Sequence, residues 1–274
     1  AQKSDENTLY ITKDLALAKR KFEDFKIDSS LYVVGDEQNF HFKQLFKALE
    51  LMGFEQAKKC YHLSYGMVVR PEGKMSSRAG NSFTFFQLKE LVEAALKKNL
   101  TKYQEIWTKE EIENTASLLA KGSIKYGMLS TDPVKEIVFD PEAWVSFEGN
   151  TGPYLMYAYA RSKSILQKAM DLDLQASIDD LDLVGEEFEK DLLRDIYNFN
   201  NTVVKSCKNN RPSILANYLY DLSKSFNRFY REAPGILKLE NENIKSARLA
   251  LIEAFTKTSH EALKLLGITP PEKM

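Results

Sequence analysis

At 274 residues, with 43% hydrophobic and 28% charged side chains, the chain has an ordinary globular composition and room for about two domains. Its 38 basic and 39 acidic residues leave a net charge of −1, which excludes a global cationic surface for nucleic acid and confines any RNA-binding face to a local patch. Cys60 and Cys207 are far apart and the three histidines do not cluster, so neither a disulfide framework nor a bound metal is expected.

No apolar run reaches membrane-spanning length, and no cationic segment followed by an apolar one opens the chain. The expected setting is reducing and cytoplasmic, with no membrane partner. The first residues, Ala1-Gln2-Lys3-Ser4-Asp5, lack Met and read as a polar connector rather than a natural start.

In chain order, Tyr10-Ile11-Thr12-Lys13-Asp14 reads as an extended piece entering a helix, with Thr12 as its cap. The helix runs from Leu15 to about Phe25, with Leu15, Ala18, Phe22 and Phe25 on one face. Leu31-Tyr32-Val33-Val34 suits a buried parallel strand. A helix follows from about Gln38 to Met52, stopped by Gly53. A strand around Lys59–Ser64, a second extended piece at Tyr65–Val69 and an extended Phe83-Thr84-Phe85 lead to a helix from Gln87 to Asn99. Alternating helices and strands indicate a parallel sheet covered by helices.

Between the strands and that last helix lies Lys74-Met75-Ser76-Ser77-Arg78, after the turn Pro71-Glu72-Gly73. Two cations and two hydroxyls in five residues can wrap a polyphosphate: the cations neutralise charge, and hydroxyls and backbone N–H groups donate short hydrogen bonds. Taken alone, so short a motif is more often a solvated turn. No Gly-rich phosphate-binding turn accompanies the first strand–helix unit, so the sequence enters a doubly wound fold part-way through.

After Trp107 the character changes. Thr108-Lys109-Glu110-Glu111 matches a capping box. Long amphipathic helices are then expected at Thr108–Leu129, about Gly152–Met170, Glu186–Lys208, Ser213–Arg231 and Glu242–Leu266, with a short extended piece at Glu136–Phe139. The expected boundary divides residues 1–105, an α/β domain, from 106–274, an all-α bundle.

The stretch Phe147-Glu148-Gly149-Asn150-Thr151-Gly152-Pro153-Tyr154-Leu155-Met156-Tyr157-Ala158-Tyr159-Ala160-Arg161 resembles the first-helix motif of the arginyl-tRNA synthetase anticodon-binding domain. Three further stretches fit that family in the same order: Tyr10–Asp14, Gln38-Asn39-Phe40-His41-Phe42, and the closing Leu265–Met274. The resemblance covers essentially the whole chain. It implies a class I fold: the second half of a Rossmann-type parallel-sheet catalytic domain followed by an α-helical anticodon-binding bundle. The family's His-x-Gly-His motif is absent from this sequence. The expectation is a C-terminal portion of a longer ligase, inactive alone, with a sheet edge prone to association once stripped of its neighbouring strands. The intact enzyme is expected to be a monomer.

The resemblance implies three sets of site residues. Tyr10, Asp14 and Gln38 would hold arginine, with the Asp14 carboxylate accepting from the guanidinium, a planar cation suited to such an acceptor. His41, Gly66, Met67, Val68 and Lys74 would lie at ATP, and Lys74, Ser76, Ser77 and Arg78 would meet the charge developing on the leaving pyrophosphate. The usual class I loop is Lys-Met-Ser-Lys-Ser; here Ser77 takes the place of its second Lys, so the dominant cation would come from elsewhere. Mg²⁺ would arrive with ATP. Tyr154, Tyr157, Arg161, Tyr230 and Met274 would contact the anticodon of tRNA(Arg), although a Tyr stripe on a helix commonly packs between helices instead. Two other readings stay open: a non-catalytic tRNA-binding module, and a class I synthetase for another amino acid such as cysteine.

Overall fold

A computed structural model describes residues 10–71, 73–74, 84–233 and 235–274. The chain forms two compact units, one comprising Ala1–Val68 with Pro133–Ile137 and the other Val69–Asp132 with Val138–Met274.

The first unit begins with helix α1 (Tyr10–Phe25), then strand β1 (Ser30–Gly35), helix α2 (Asn39–Leu51) and strand β2 (Cys60–Tyr65). Tyr10 to Asp14 are helical, so the extended entry and the Thr12 cap do not form. The apolar stripe starts a turn earlier than expected: Ile11 and Leu15 join Ala18 against Phe42, Leu45, Leu49 and Ala57. That 4-3 spacing is the helical signature, and it carries the helix back to Tyr10. Phe25, expected on the buried face, ends the helix exposed.

Strands β1 and β2 pair in parallel, from Ser30 opposite Cys60 to Gly35 opposite Tyr65. Tyr32 and Val34 point into the core with the α2 side chains. Leu31 and Val33 alternate to the other face and are 49% and 62% exposed, alongside exposed Tyr61 and Tyr65. The strands are thus apolar on both faces, the pattern of a sheet covered on both sides. Gly53 stops α2 with φ +73°, a conformation L side chains rarely adopt.

The second unit carries strands β3 (Val68–Arg70), whose first residue lies in the other unit, and β4 (Gly73–Lys74), paired antiparallel. Short strand β5 (Ile137–Val138), whose first residue also lies in the other unit, completes the order β4-β3-β5. Its helices are α3 (Phe85–Leu100), α4 (Lys109–Ser130), α5 (Pro141–Trp144), α6 (Gly152–Asp171), α7 (Glu187–Tyr197), α8 (Phe199–Asn209), α9 (Pro212–Glu232) and α10 (Glu242–Leu265). By packing, α3 belongs with the helices that follow it. Thr84 has the extended backbone of a cap and Phe85 is already helical; a capping box with Gln87 starts α3, and the expected box of Thr108 with Glu111 starts α4. The single helix expected at Glu186–Lys208 is two, meeting at Asn198, which ends α7 and opens α8. Asn side chains favour such ends over helix interiors.

The core of this unit is aromatic and aliphatic, with Phe226 of α9 stacked on Phe255 of α10 at 4.0 Å. Close approach of α4 and α6 is set by a glycine: a Cβ on Gly152 would stand 2.7 Å from the Ser123 Cα. The buried Glu189 carboxylate is satisfied twice, by Arg248 at 2.7 Å and by the Glu186 N–H at 2.9 Å.

Candidate functional site

In the first unit, α1 and α2 bring together two residues far apart in sequence. The Nε2 of His41, in the first turn of α2, lies 2.8 Å from Oδ2 of Asp14. An ionised carboxylate only accepts, so the ring N–H donates. Tyr10 precedes Asp14 by one helical turn and is 83% exposed. Gln38 precedes His41 by three residues, at the cap of α2, and is exposed. Helical spacing therefore sets Tyr10 on the Asp14 side of the pair and Gln38 on the His41 side. Asp14 and His41 retain 36% and 26% of their side-chain exposure, so the pair is sheltered but open to a ligand. A carboxylate held in this way can accept hydrogen bonds from a second, cationic donor group.

His41, expected beside the nucleotide, has Asp14 as its hydrogen-bond partner, a contact that leaves that role open. Its ring also meets Phe42 edge-on at 5.4 Å, and Phe42 in turn stacks on His62 at 4.3 Å. His62 bonds the Val34 carbonyl at 3.0 Å, tying this row to the sheet.

Gly66 is buried, and its N–H donates to the Pro133 carbonyl at 2.7 Å. A Cβ there would come within 2.1 Å of the Lys135 carbonyl oxygen. The close approach that the glycine permits is thus to the chain's own backbone. The Met67 carbonyl accepts from Ile137 N–H at 2.9 Å, and the Met67 side chain is 38% exposed. Val68 opens β3 and is half-buried; the Lys74 backbone pairs with Val69 in β4. Ser76, Ser77 and Arg78 lie outside the described residues.

In the second unit, Thr151 caps α6 by accepting from Tyr154 N–H, and Pro153 in the first turn presets the helix. Arg161, on the same helix, places its guanidinium 4.6 Å from the Tyr157 ring centroid and 4.9 Å from that of Tyr230 on α9. Its Nη1 donates to Asn227 Oδ1 at 2.8 Å, fixing the fork between the rings. Tyr157, Arg161 and Tyr230 therefore form one cluster. Tyr154 does not join it; its ring faces Tyr220 at 5.7 Å. Beside Tyr230 opens a cavity of about 540 Å³ whose lining includes Lys168, Arg231 and Lys238. Met274 is half-buried at the chain end, next to Lys273, which lies over the Trp107 ring at 5.6 Å. Asn227 gave no sequence signal: only the folded register of α9 against α6 makes it the anchor of Arg161.

Among the described residues, no group of three or more His, Cys, Asp and Glu could hold a metal ion, and no helix is long and apolar enough to cross a membrane.

Residues 1–141 match the family described as tRNA synthetases class I (R), catalytic domain, and residues 155–274 match the DALR anticodon binding domain. An arginine–tRNA ligase of Bdellovibrio bacteriovorus is 45% identical over 99% of this chain and 47% of its own length, and one from Parabacteroides distasonis is 39% identical over 99% and 46%. The Thermus thermophilus arginyl-tRNA synthetase structure aligns with a TM-score of 0.88 at 26% identity, covering all of this chain and 50% of its own. The chain spans about half the length of these relatives. With both matches in the expected order and a parallel-strand unit ahead of a helical one, the chain belongs to the class I tRNA synthetase (R) family, joining its catalytic-domain fold to a DALR anticodon-binding domain.

Proposed function

We propose that this chain serves an arginine–tRNA ligase, which activates arginine with ATP to arginyl-adenylate and passes the arginyl group to the terminal ribose of tRNA(Arg). The reading rests on the Asp14 carboxylate, oriented by His41 at 2.8 Å; Tyr10, one helical turn before Asp14, and Gln38, three residues before His41, complete the arginine site. An acceptor prepared in this way suits a guanidinium, and an amino acid lacking it would leave the carboxylate oxygen that His41 does not meet without its cationic donor in the closed site, a cost that discriminates by roughly 10⁴-fold. The roles divide between residues 1–105, which serve arginine and ATP, and 106–274, which serve tRNA. ATP brings Mg²⁺; Lys74, Ser76, Ser77 and Arg78 act on its phosphates, and Met67 and Val68 border the nucleotide. Tyr157, Arg161 and Tyr230 take the anticodon, with Tyr154 and Met274 beside them. The complete ligase is a cytoplasmic monomer.

The chain spans about half the length of its relatives, so the activity belongs to a protein in which the remaining length is supplied. Fused to the rest of a relative, the chain supports arginine-dependent ATP–pyrophosphate exchange, whereas the 274 residues alone show little or none. In the fusion, Asp14→Ala abolishes exchange and leaves tRNA affinity largely unchanged. Full exchange activity in that variant would remove the arginine assignment.

A further inference from the structure

The cluster of Tyr157, Arg161 and Tyr230 does not end at Tyr157. The Phe147 ring meets Tyr157 edge-on at 6.4 Å. Lys102 Nζ stands 6.0 Å from the Phe147 centroid and 4.9 Å from that of Tyr103. Tyr103 stacks on Trp107 at 4.8 Å with the planes only 16° apart. Rings and cations from α6, α9, the loop before α6 and the turn after α3 thus form an unbroken row on one unit.

The charges along this row are of two kinds. Lys273, over Trp107 at its far end, is ion-paired with Glu111. Among the described residues, neither Arg161 nor Lys102 is paired with a carboxylate. Lys102 is exposed, and Arg161 is half-buried. Their positive charge is therefore not cancelled locally, in a chain whose net charge is −1. Aromatic faces hold each cation in place and leave N–H donors for an outside acceptor. Alternating rings and uncancelled cations are what a single-stranded nucleic acid uses, bases on the rings and phosphates on the cations.

We propose that the Phe147–Lys102–Tyr103 segment is an extension of the RNA site, binding the ribose-phosphate backbone of nucleotides next to those met by Tyr157 and Tyr230. It rests on the tRNA reading above. Lys102 supplies the phosphate contact. Phe147 links it to the base-binding cluster, and the Tyr103–Trp107 stack backs it from below.

The test uses the 274-residue chain and a fluorescent RNA hairpin carrying an arginine-tRNA anticodon stem and loop. Lys102→Met keeps most of the stem and removes the charge. It weakens hairpin binding by about three- to tenfold and lowers the slope of log affinity against log salt by about 0.7, the single-strand value for one phosphate contact. Lys102→Arg restores both. The loss is the same for a hairpin whose anticodon bases are replaced, because a phosphate contact carries no base information. Tyr157→Ala, by contrast, acts in a base-dependent manner. If Lys102→Met matches wild type in affinity and salt slope while Tyr157→Ala weakens binding, the extension is wrong and the site stops at Tyr157. If the wild-type chain does not bind the hairpin, or Tyr157→Ala and Lys102→Met both leave binding unchanged, the tRNA reading fails and the extension with it.

Discussion

The His41 ring donates to the Asp14 carboxylate across 2.8 Å, linking the starts of two helices that are 27 residues apart in sequence. A carboxylate on a helix surface otherwise samples several rotamers; this contact restricts it to one side of α1. In the fused ligase, His41→Ala is expected to raise the KM for arginine by about tenfold, the cost of one charge-assisted hydrogen bond, with the KM for ATP within about twofold. His41→Gln, which can still donate, recovers part of the loss. Steady-state exchange kinetics with each substrate varied in turn decides it. A rise confined to the ATP KM would show that His41 serves the nucleotide and not arginine.

The geometry of the Tyr157–Arg161–Tyr230 cluster depends on how closely α6 sits on α4. A Cβ on Gly152 would meet the Ser123 backbone at 2.7 Å, and backbone cannot rotate away. Gly152→Ala gains up to about 1 kcal/mol of helix propensity but forces the helices apart, at a cost of about 1–3 kcal/mol. Thermal unfolding of the variant should begin below wild type. Because Tyr157 and Arg161 ride on the displaced helix, hairpin affinity should fall as well. An unchanged melting curve with normal RNA binding would show that the crossing relaxes freely.

Much of this architecture was legible in the residues because local patterns and tertiary packing agree. The Thr108–Glu111 capping box and the stop at Gly53 depend on neighbours in sequence, and both form; the strand at Leu31–Val34 also forms and pairs in parallel, but with Leu31 and Val33 exposed where burial was expected. The extended entry at Tyr10–Asp14 misread the start of a stripe whose first member, Ile11, has meaning only against the α2 core. The site divides in the same way. Tyr157 and Arg161 stand four apart on one helix, so their meeting is a matter of helical period. The capture of Asp14 by His41, the Asn227 anchor and the Lys102–Phe147 contact are tertiary, and no spacing in the chain announces them. Gly66, expected at ATP, has a tertiary requirement that no spacing announces: the Lys135 backbone leaves no room for a Cβ.

A pH-dependent contact ties the chain end to the start of α4. The Glu111 carboxyl is held down to about 2, first by the Lys273 ammonium and then by the Thr108 N–H and hydroxyl. A depressed folded-state value means the contact's contribution is complete above the ordinary carboxyl value of 4.5 and is lost as pH falls through about 2. Carboxyl NMR titration should place the Glu111 midpoint near 2. Lys273→Ala should move it upward yet leave it below 4.5, since the Thr108 donors remain. A midpoint unmoved by Lys273→Ala would mean that the capping box alone sets it.

The two-stranded sheet of the first unit has its inner face filled by α1 and α2 side chains and its outer face open, with Leu31 and Val33 exposed beside Tyr61 and Tyr65. Apolar side chains in a row on two paired strands make a contiguous patch of the kind that draws a partner or a second copy. The 274-residue chain is therefore expected to self-associate as its concentration rises, with sedimentation coefficients climbing over the micromolar range. Leu31→Lys with Val33→Lys should abolish that climb: both side chains point away from the core, so the inner packing of Tyr32 and Val34 is untouched, and like charges on the patch oppose association. Circular dichroism of the double variant should match wild type. If the double variant folds and still associates to the same degree, the contact lies elsewhere, and the open face of β1 and β2 is not what brings copies together.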